Sequence, residues 1–303
     1  MTLARVGYLG PEGSFSHEAV TSLDQVEAVA CPSFADLLSD VASGRLDRGL
    51  VPLENAIEGT VSATIDGLIF DHELLIEREI VLPIQLHLLA RPGVTRQQVT
   101  KVLSYVHALA QCRTLLQSLG VATEHSSSTS QAVREVAESS EPWAAIGSRL
   151  AGEIFGLNIL EADVEDHRDN ATRFVLVGRD EVPAPSGHDR TTIVCFQDAD
   201  RPGSLYAILG HFAARDINLT RLESRPTKRG LGDYCFVIEL EGHVADQLVA
   251  DCLTDLQAHV AQVKFLGSYP VTGVVAADRR EEVALARASA SQWITAIRAR
   301  IRP

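Results

Sequence analysis

Apolar and polar positions alternate along this chain in two different patterns. In the first, short apolar runs trade places with helical spacing. Ala4–Leu9 (ARVGYL) reads as a strand, the turn GPEGS follows, and a helix opens at Phe15. A second helical pattern starts at Phe34, and the apolar run Leu50–Leu53 stops at Glu54-Asn55. The stretch Ile80–Ala90 alternates as a strand, Val102–Ser104 is another, and residues 108–118 and 130–138 have helical spacing. Ala144–Gly147 is a short buried strand leading into a helix at 148–155, and Arg173–Gly178 is a further strand. Strands and helices in alternation predict α/β layers on a mainly parallel sheet.

The second pattern begins after a stretch rich in Pro, Gly and polar residues, EVPAPSGHD, whose residues 182–189 read as a linker. Thr191–Phe196 is a strand, 203–215 a helix, 218–226 and 234–241 two strands joined by a turn with Gly230 and Gly232. A helix at 244–259 and a strand at 262–269 follow, giving the order β-α-β-β-α-β of a ferredoxin-like unit. The expected domains are therefore 1–181, then 190–272, then a mostly helical tail at 273–303 with Val283, Leu285, Ile294 and Ile297 at helical spacing.

Composition narrows the function classes. The 40 Asp+Glu against 27 Lys+Arg leave a net charge of -13, which repels nucleic-acid phosphates and anionic membranes. An anionic substrate then needs a locally positive pocket. The five cysteines are widely spaced with no CxxC pair, and the ten histidines form no HExxH, so neither a disulfide framework nor a metal site is expected. No apolar run is long enough to span a bilayer, and the N-terminus reads as a strand rather than a signal peptide, so the expected location is cytoplasmic.

Five stretches hold candidate chemistry, each with a plainer alternative. The turn Gly7–Ser14 suits an anion at a helix N-terminus, or is a tight turn with Ser14 as N-cap; it has neither the Walker Lys nor dinucleotide spacing. In VPLENAIEGTV, Glu54 and Asn55 end a strand at the sheet edge where α/β proteins bind ligands, or Asn55 caps a loop. Ser104 and Gln111 in SYVHALAQC line a site, or cap and solvate a helix, while His107 reads as a surface or capping histidine. Thr172, Arg173 and Phe174 after Asn170 place a hydroxyl, a cation and an aromatic side by side, or form a strand entry. In ESRP, Arg225 pairs with Glu223.

Taken in order, these stretches resemble the prephenate dehydratase family. GPEGSFS, VPLENAIEGTV, the ALAQC helix, AAIGS with GLNIL, and NATRFVLVG follow the family's order, and ESRP in its βαββαβ unit is similar to the family's ACT regulatory domain. The resemblance covers roughly residues 4–270 and implies a monofunctional enzyme without cofactor. The implied fold has two α/β lobes like a type II periplasmic binding protein, followed by the ACT domain. The implied reaction turns prephenate into phenylpyruvate with loss of water and CO2. The implied proton donor is Thr172. Ser14, Asn55, Ser104, Gln111, Arg173 and Phe174 are expected around the substrate, with Arg173 equally a structural partner of a carboxylate and Phe174 equally a core residue.

The resemblance also implies an aromatic amino-acid effector, phenylalanine or else tyrosine, bound near Gly203, Ser204, Leu205, Tyr206, Asn218, Leu219, Glu223 and Ser224 in a homodimer or homotetramer. Three departures stand out. Ala56 replaces the usual Ser, Tyr105-Val106 replaces His-Pro, and Tyr206 replaces a smaller Val. Arogenate dehydratase, a non-catalytic amino-acid-binding regulator and a nucleotide-binding protein remain the competing readings.

Overall fold

The computed structural model describes residues 3–197, 201–228, 230, 232–272 and 292–300. The chain divides into two units, Met1–Pro183 and Ala184–Pro303.

The first unit has two lobes, each built on its own sheet. One lobe contains β1 (Ala4–Leu9), α1 (Phe15–Thr21), β2 (Val26–Cys31), α2 (Phe34–Ala42), β3 (Arg48–Asn55), β4 (Gly59–Thr60), α3 (Ser62–Asp66) and β5 (Leu75–Pro83). The other contains β6 (His87–Ala90), β7 (Lys101–Ser104), α4 (Val106–Ala110), α5 (Arg113–Leu119), β8 (Ala122–His125), α6 (Thr129–Glu138), β9 (Trp143–Gly147), α7 (Arg149–Phe155) and β10 (Asn158–Glu161). The chain then returns, and β11 (Ala171–Gly178) enters the first sheet between β3 and β5.

The first sheet runs β2-β1-β3-β11-β5, with β4 on β3. The second runs β10-β6-β9-β7-β8. Both are mixed, which corrects the expectation of mainly parallel sheets. β1 is parallel to β2 and β3, whereas β11 is antiparallel to β3 and β5. The reason is geometric: β5 leads out to the second lobe, so the strand beside it that leads back must run the other way.

Two further expectations need correction. The alternating run Ile80–Ala90 is not one strand. It breaks between Pro83 and His87, where the chain passes from one lobe to the other. The helical run 108–118 is likewise two helices, broken at Cys112 (φ -124, ψ 37), so Gln111 caps α4 instead of lying mid-helix.

Each lobe has its own core. In the first, Val6, Tyr8, Ala19, Val20, Leu50, Phe174 and Leu176 pack together. In the second, neighbouring residues of a strand serve opposite faces. Leu88 and Val102 join one cluster with Ala108 and Ile146, while Leu89 and Leu103 join the other with Val133 and Ala151. Burial on both faces explains why these strands read as unbroken apolar runs.

The second unit contains β12 (Asp189–Phe196), α8 (Ser204–Ala213), β13 (Leu219–Pro226), β14 (Tyr234–Glu241), α9 (Gln247–His259) and β15 (Gln262–Pro270). Its antiparallel sheet runs β13-β14-β12-β15, the ferredoxin-like order. Ile208 and Phe212 of α8 and Val249, Cys252 and Leu256 of α9 cover Ile193, Phe236 and Ile238 on one face. Of the expected helical tail, 273–291 and 301–303 lie outside the described residues, and 292–298 are helical. Among the described residues no helix is long and apolar enough to cross a membrane.

Candidate active site at the lobe crossing

The two passages between the lobes run side by side. Ile84 N–H donates to Asn170 O (2.8 Å), Val164 N–H to Leu86 O (2.8 Å), and the buried Leu86 N–H to Glu165 Oε2 (2.9 Å). β11 starts where the return passage ends, so its second residue, Thr172, lies at the crossing. Its Cα partners are Asn55 on β3 and Leu82 on β5, and its side chain is almost buried, at 8% exposure.

Asn55 controls the Thr172 hydroxyl. Asn55 Oδ1 accepts from the backbone N–H groups of Ile57 (2.9 Å) and Glu58 (3.0 Å). Those donors identify the oxygen end of the amide, so Nδ2 must face the other way. There it donates to Thr172 Oγ1 (2.9 Å) and Asn170 Oδ1 (3.0 Å), with Ala171 O at 3.3 Å. Thr172 therefore accepts a hydrogen bond, and among the described residues no protein acceptor takes its own proton. An oxygen that is already accepting is polarised toward donation, and its proton is left for a ligand.

The polar chain continues into the other lobe. The buried Asn170 donates through Nδ2 to Gln111 Oε1 (3.0 Å), and Gln111 Nε2 donates to Glu58 Oε1 (3.3 Å). Glu58 Oε2 lies 2.7 Å from His107 Nδ1, and the His107 ring stacks on Tyr105. Gln111 is fixed at its backbone as well, because its carbonyl accepts from Asp166 N–H (2.7 Å). Asp166 in turn caps α5 through Arg113 N–H (2.8 Å) and Thr114 N–H (3.2 Å). Desolvation pushes the Asp166 carboxyl up, but the bonds from Thr114 and Arg113 outweigh it and hold its pKa below the ordinary value.

Four of the expected site residues have other work in this structure. The Ser14 hydroxyl caps α1, accepting from His17 N–H (3.2 Å) and donating to Leu9 O (3.1 Å). The N–H groups of Gly10, Gly13 and Ser14 are engaged by Cys31 O, His17 Nδ1 and Pro11 O, so the turn does not present them to an anion. Its carbonyls instead seat one lobe on the other: Ser130 Oγ donates to Glu12 O, and Ser148 Oγ to Gly13 O (2.8 Å). Gly13 (φ +77) suits this contact, since a Cβ there would lie 2.9 Å from Ala151 Cα.

Ser104 is fully buried and donates to Ile146 O (2.6 Å), which braces β7 against β9. Arg173 lies on the opposite face of β11 from Thr172 and pairs with Glu54 Oε2 (3.0 Å) and the buried Glu79 Oε2 (3.5 Å). Phe174 is 2% exposed and fills the first lobe's core. The structure thus joins Thr172, Asn55 and Gln111, and adds Asn170, Glu58 and His107, to which the sequence assigns no ligand role. Asn170 was legible in principle: it stands two residues before Thr172, at the entry to β11.

Comparison with known proteins places this geometry. The family profile described as prephenate dehydratase matches residues 6–182, and the one described as ACT domain matches 191–257. This chain belongs to the prephenate dehydratase family. The prephenate dehydratase of Bacillus subtilis strain 168 is 37% identical over 279 residues, covering 88% of this chain and 98% of the relative. A solved prephenate dehydratase from Arthrobacter aurescens, in complex with L-Phe, has a TM-score of 0.86 at 37% identity and covers 97% of this chain and 99% of its own. GqqA, described as a novel type of quorum quenching acylase, has a TM-score of 0.82 at 29% identity and covers 88% of this chain and 98% of its own. A shared fold therefore leaves the chemistry to be argued from the site.

The ACT region of this prephenate dehydratase family member has a cavity of about 380 Å3 lined by Gln197, Arg201, Gly203, Ser204, Leu205, Tyr206, Leu209 and Phe236. Gly203 (φ +89) precedes α8, and Ser204 Oγ donates to Arg201 O (2.7 Å) while accepting from Arg201 N–H (3.1 Å). Tyr206 is 82% exposed at the cavity's edge. Asn218, Leu219, Glu223 and Ser224 do not line it. Leu219 packs on the ACT core, and Glu223 is held between Arg221 (2.7 Å) and Arg225 (3.1 Å). All five cysteines are free and buried, and burial pushes Cys112 up to about 12, so this thiol stays protonated. Among the described residues no group of three or more His, Cys, Asp or Glu is placed to hold a metal ion.

Proposed function

We propose that this chain is a prephenate dehydratase that uses the Thr172 hydroxyl to expel water as CO2 leaves, and that an aromatic amino acid, phenylalanine first, regulates it through the ACT domain. The observation that carries the reading is the Asn55 Nδ2 to Thr172 Oγ1 hydrogen bond at 2.9 Å, which leaves the hydroxyl proton free for a substrate.

Prephenate carries two carboxylates and a ring hydroxyl. As the ring carboxylate leaves as CO2, its bonding electrons enter the ring and the C–O bond to the hydroxyl breaks. Phenylpyruvate, CO2 and water form, and one proton is consumed. Thr172 delivers that proton to the departing oxygen. The charge that develops on Oγ1 is met by the Asn55 amide, and solvent returns the proton afterwards. Threonine is a weak acid, so transfer must keep pace with C–O cleavage. General-acid help of this kind contributes about 10²–10⁴ in rate.

We assign effector binding to the cavity beside Gly203–Tyr206, and assembly to a homodimer or homotetramer through the ACT units. Supporting this, β13 is an edge strand, and Tyr206, Leu222 and Tyr234 are exposed apolar side chains of the same unit. The test is direct. Purified protein is incubated at neutral pH with prephenate, with phenylpyruvate read by its absorbance in alkali, and separately with arogenate, with phenylalanine read by chromatography. Turnover of prephenate that falls with added phenylalanine is expected. Turnover of arogenate alone would reassign the substrate, and no turnover of either would overturn the enzymatic reading.

A further inference from the structure

We infer that Glu58 is a positioning residue for the dehydration, setting the orientation of Thr172 through the side-chain amides of Gln111, Asn170 and Asn55. This rests on the dehydratase reading above. The four residues form a closed ring of hydrogen bonds that all point the same way round. Glu58 N–H donates to Asn55 Oδ1, Asn55 Nδ2 to Asn170 Oδ1, Asn170 Nδ2 to Gln111 Oε1, and Gln111 Nε2 to Glu58 Oε1. Thr172 branches from the ring at Asn55 Nδ2.

Three of the ring members are amides, which look alike to a neighbour when turned by 180° except for the exchange of donor and acceptor. A ring of amides alone could run in either sense. Glu58 removes that freedom twice, because its backbone N–H can only donate and its carboxylate can only accept. Without the carboxylate, Gln111 has no partner to fix its amide. A turned Gln111 would set its NH2 against the NH2 of Asn170. Asn170 would then have to turn, and its NH2 would face Asn55 Nδ2, which Ile57 N–H also holds in place. The Asn55 contact to Thr172 is thus defined from both sides only while Glu58 completes the ring.

Glu58 also bridges the lobes. Its loop leaves β3 of one lobe, while Gln111 and His107 stand four residues apart at α4 of the other. One carboxylate therefore holds two successive turns of that helix at a set distance from the Asn55 loop. His107, at 2.7 Å on the outer oxygen, leaves the inner oxygen for Gln111. Glu58 and His107 are both about half exposed, so the pair contributes little to stability. A large effect on turnover would then reflect geometry rather than folding.

The test compares wild type, Glu58→Ala and Glu58→Gln for steady-state prephenate turnover, with a thermal melt of each. The expected result is a kcat about tenfold or more lower for Glu58→Ala, since small displacements of reacting groups are costly. Its KM should stay within about threefold of wild type, because the loss is of an interaction that matters in the transition state. The melting temperature should be unchanged. Glu58→Gln should recover most of the loss, because its Nε2 can donate to His107 Nδ1 and so keep its amide oxygen toward Gln111. An unimpaired Glu58→Ala, a loss confined to KM, or a Glu58→Gln as slow as Glu58→Ala would overturn the inference while leaving the dehydratase reading intact. A wild type without prephenate turnover would overturn both.

Discussion

Thr172 is an unusual acid because among the described residues nothing ionisable is bonded to it; an amide N–H is its partner. The chemistry therefore depends on the Asn55 amide being a donor at Nδ2. Asn55→Asp keeps an acceptor for the Ile57 and Glu58 N–H groups but replaces the donor to Thr172 with a second oxygen. It should lower kcat by about 10²-fold or more, as removal of a preorganised donor does, with the fold retained by circular dichroism. A kcat near wild type would show that the amide does not polarise the hydroxyl. Arg173 gives the opposite pattern. Its pairs with Glu54 and buried Glu79 support a structural role, so Arg173→Met should lower unfolding free energy by about 3 kcal/mol through loss of the buried ion pair. Denaturant titration checks this, and a rise in KM with full stability would restore Arg173 to the substrate. Thr172 and Asn55 were legible in the sequence because their motifs are local. The role of Glu58 was not, since it depends on a meeting with Gln111 across 53 positions of chain.

At the scale of elements, β11 matters most, because it returns from the second lobe and delivers Thr172 to the crossing. The sequence marks β11 clearly, as ARVGYL marks β1, but it does not show strand direction, and hence the sheets read as parallel. The passage at 84–86 was hidden because apolar residues continue through it to the buried β6. His87 at the start of β6 is 1% exposed, and its Nδ1 accepts from Asp163 N–H at 3.1 Å. Burial, helped by the charge of Arg149, depresses its pKa. The unfolded chain then takes up a proton first, near pH 6.5. Stability from this group is complete above that pH and is lost as pH falls from there toward the folded pKa. His87→Gln should accordingly flatten the fall in stability between pH 7 and 5, read by urea melts across that range; an unchanged slope would exclude the histidine. Ser148 both caps α7 and donates to Gly13 O, so Ser148→Ala should lower stability by about 1–2 kcal/mol.

For the whole molecule, regulation requires that an effector favour one conformation over another. Coupling between the effector and substrate sites is reciprocal, so prephenate should change phenylalanine affinity by the same factor that phenylalanine changes prephenate affinity. Tyr206 bears on this because it stands exposed at the rim of the cavity. Tyr206→Val should shift the phenylalanine concentration needed for half-inhibition and leave turnover without effector unchanged; an unmoved inhibition curve would place the effector elsewhere. The two-unit organisation and the βαββαβ order were legible from the change of pattern after the Pro- and Gly-rich stretch. Of the residues expected around an effector, Gly203–Tyr206 line the cavity at the start of α8, whereas Leu219 packs on the ACT core and Glu223 pairs with Arg221 and Arg225.

The most direct measurement is steady-state kinetics of Thr172→Ala on prephenate. If the hydroxyl is the proton donor, kcat falls by about 10²–10⁴ while KM moves only a few-fold. A folded Thr172→Ala protein that turns over prephenate at the wild-type rate would contradict the mechanism.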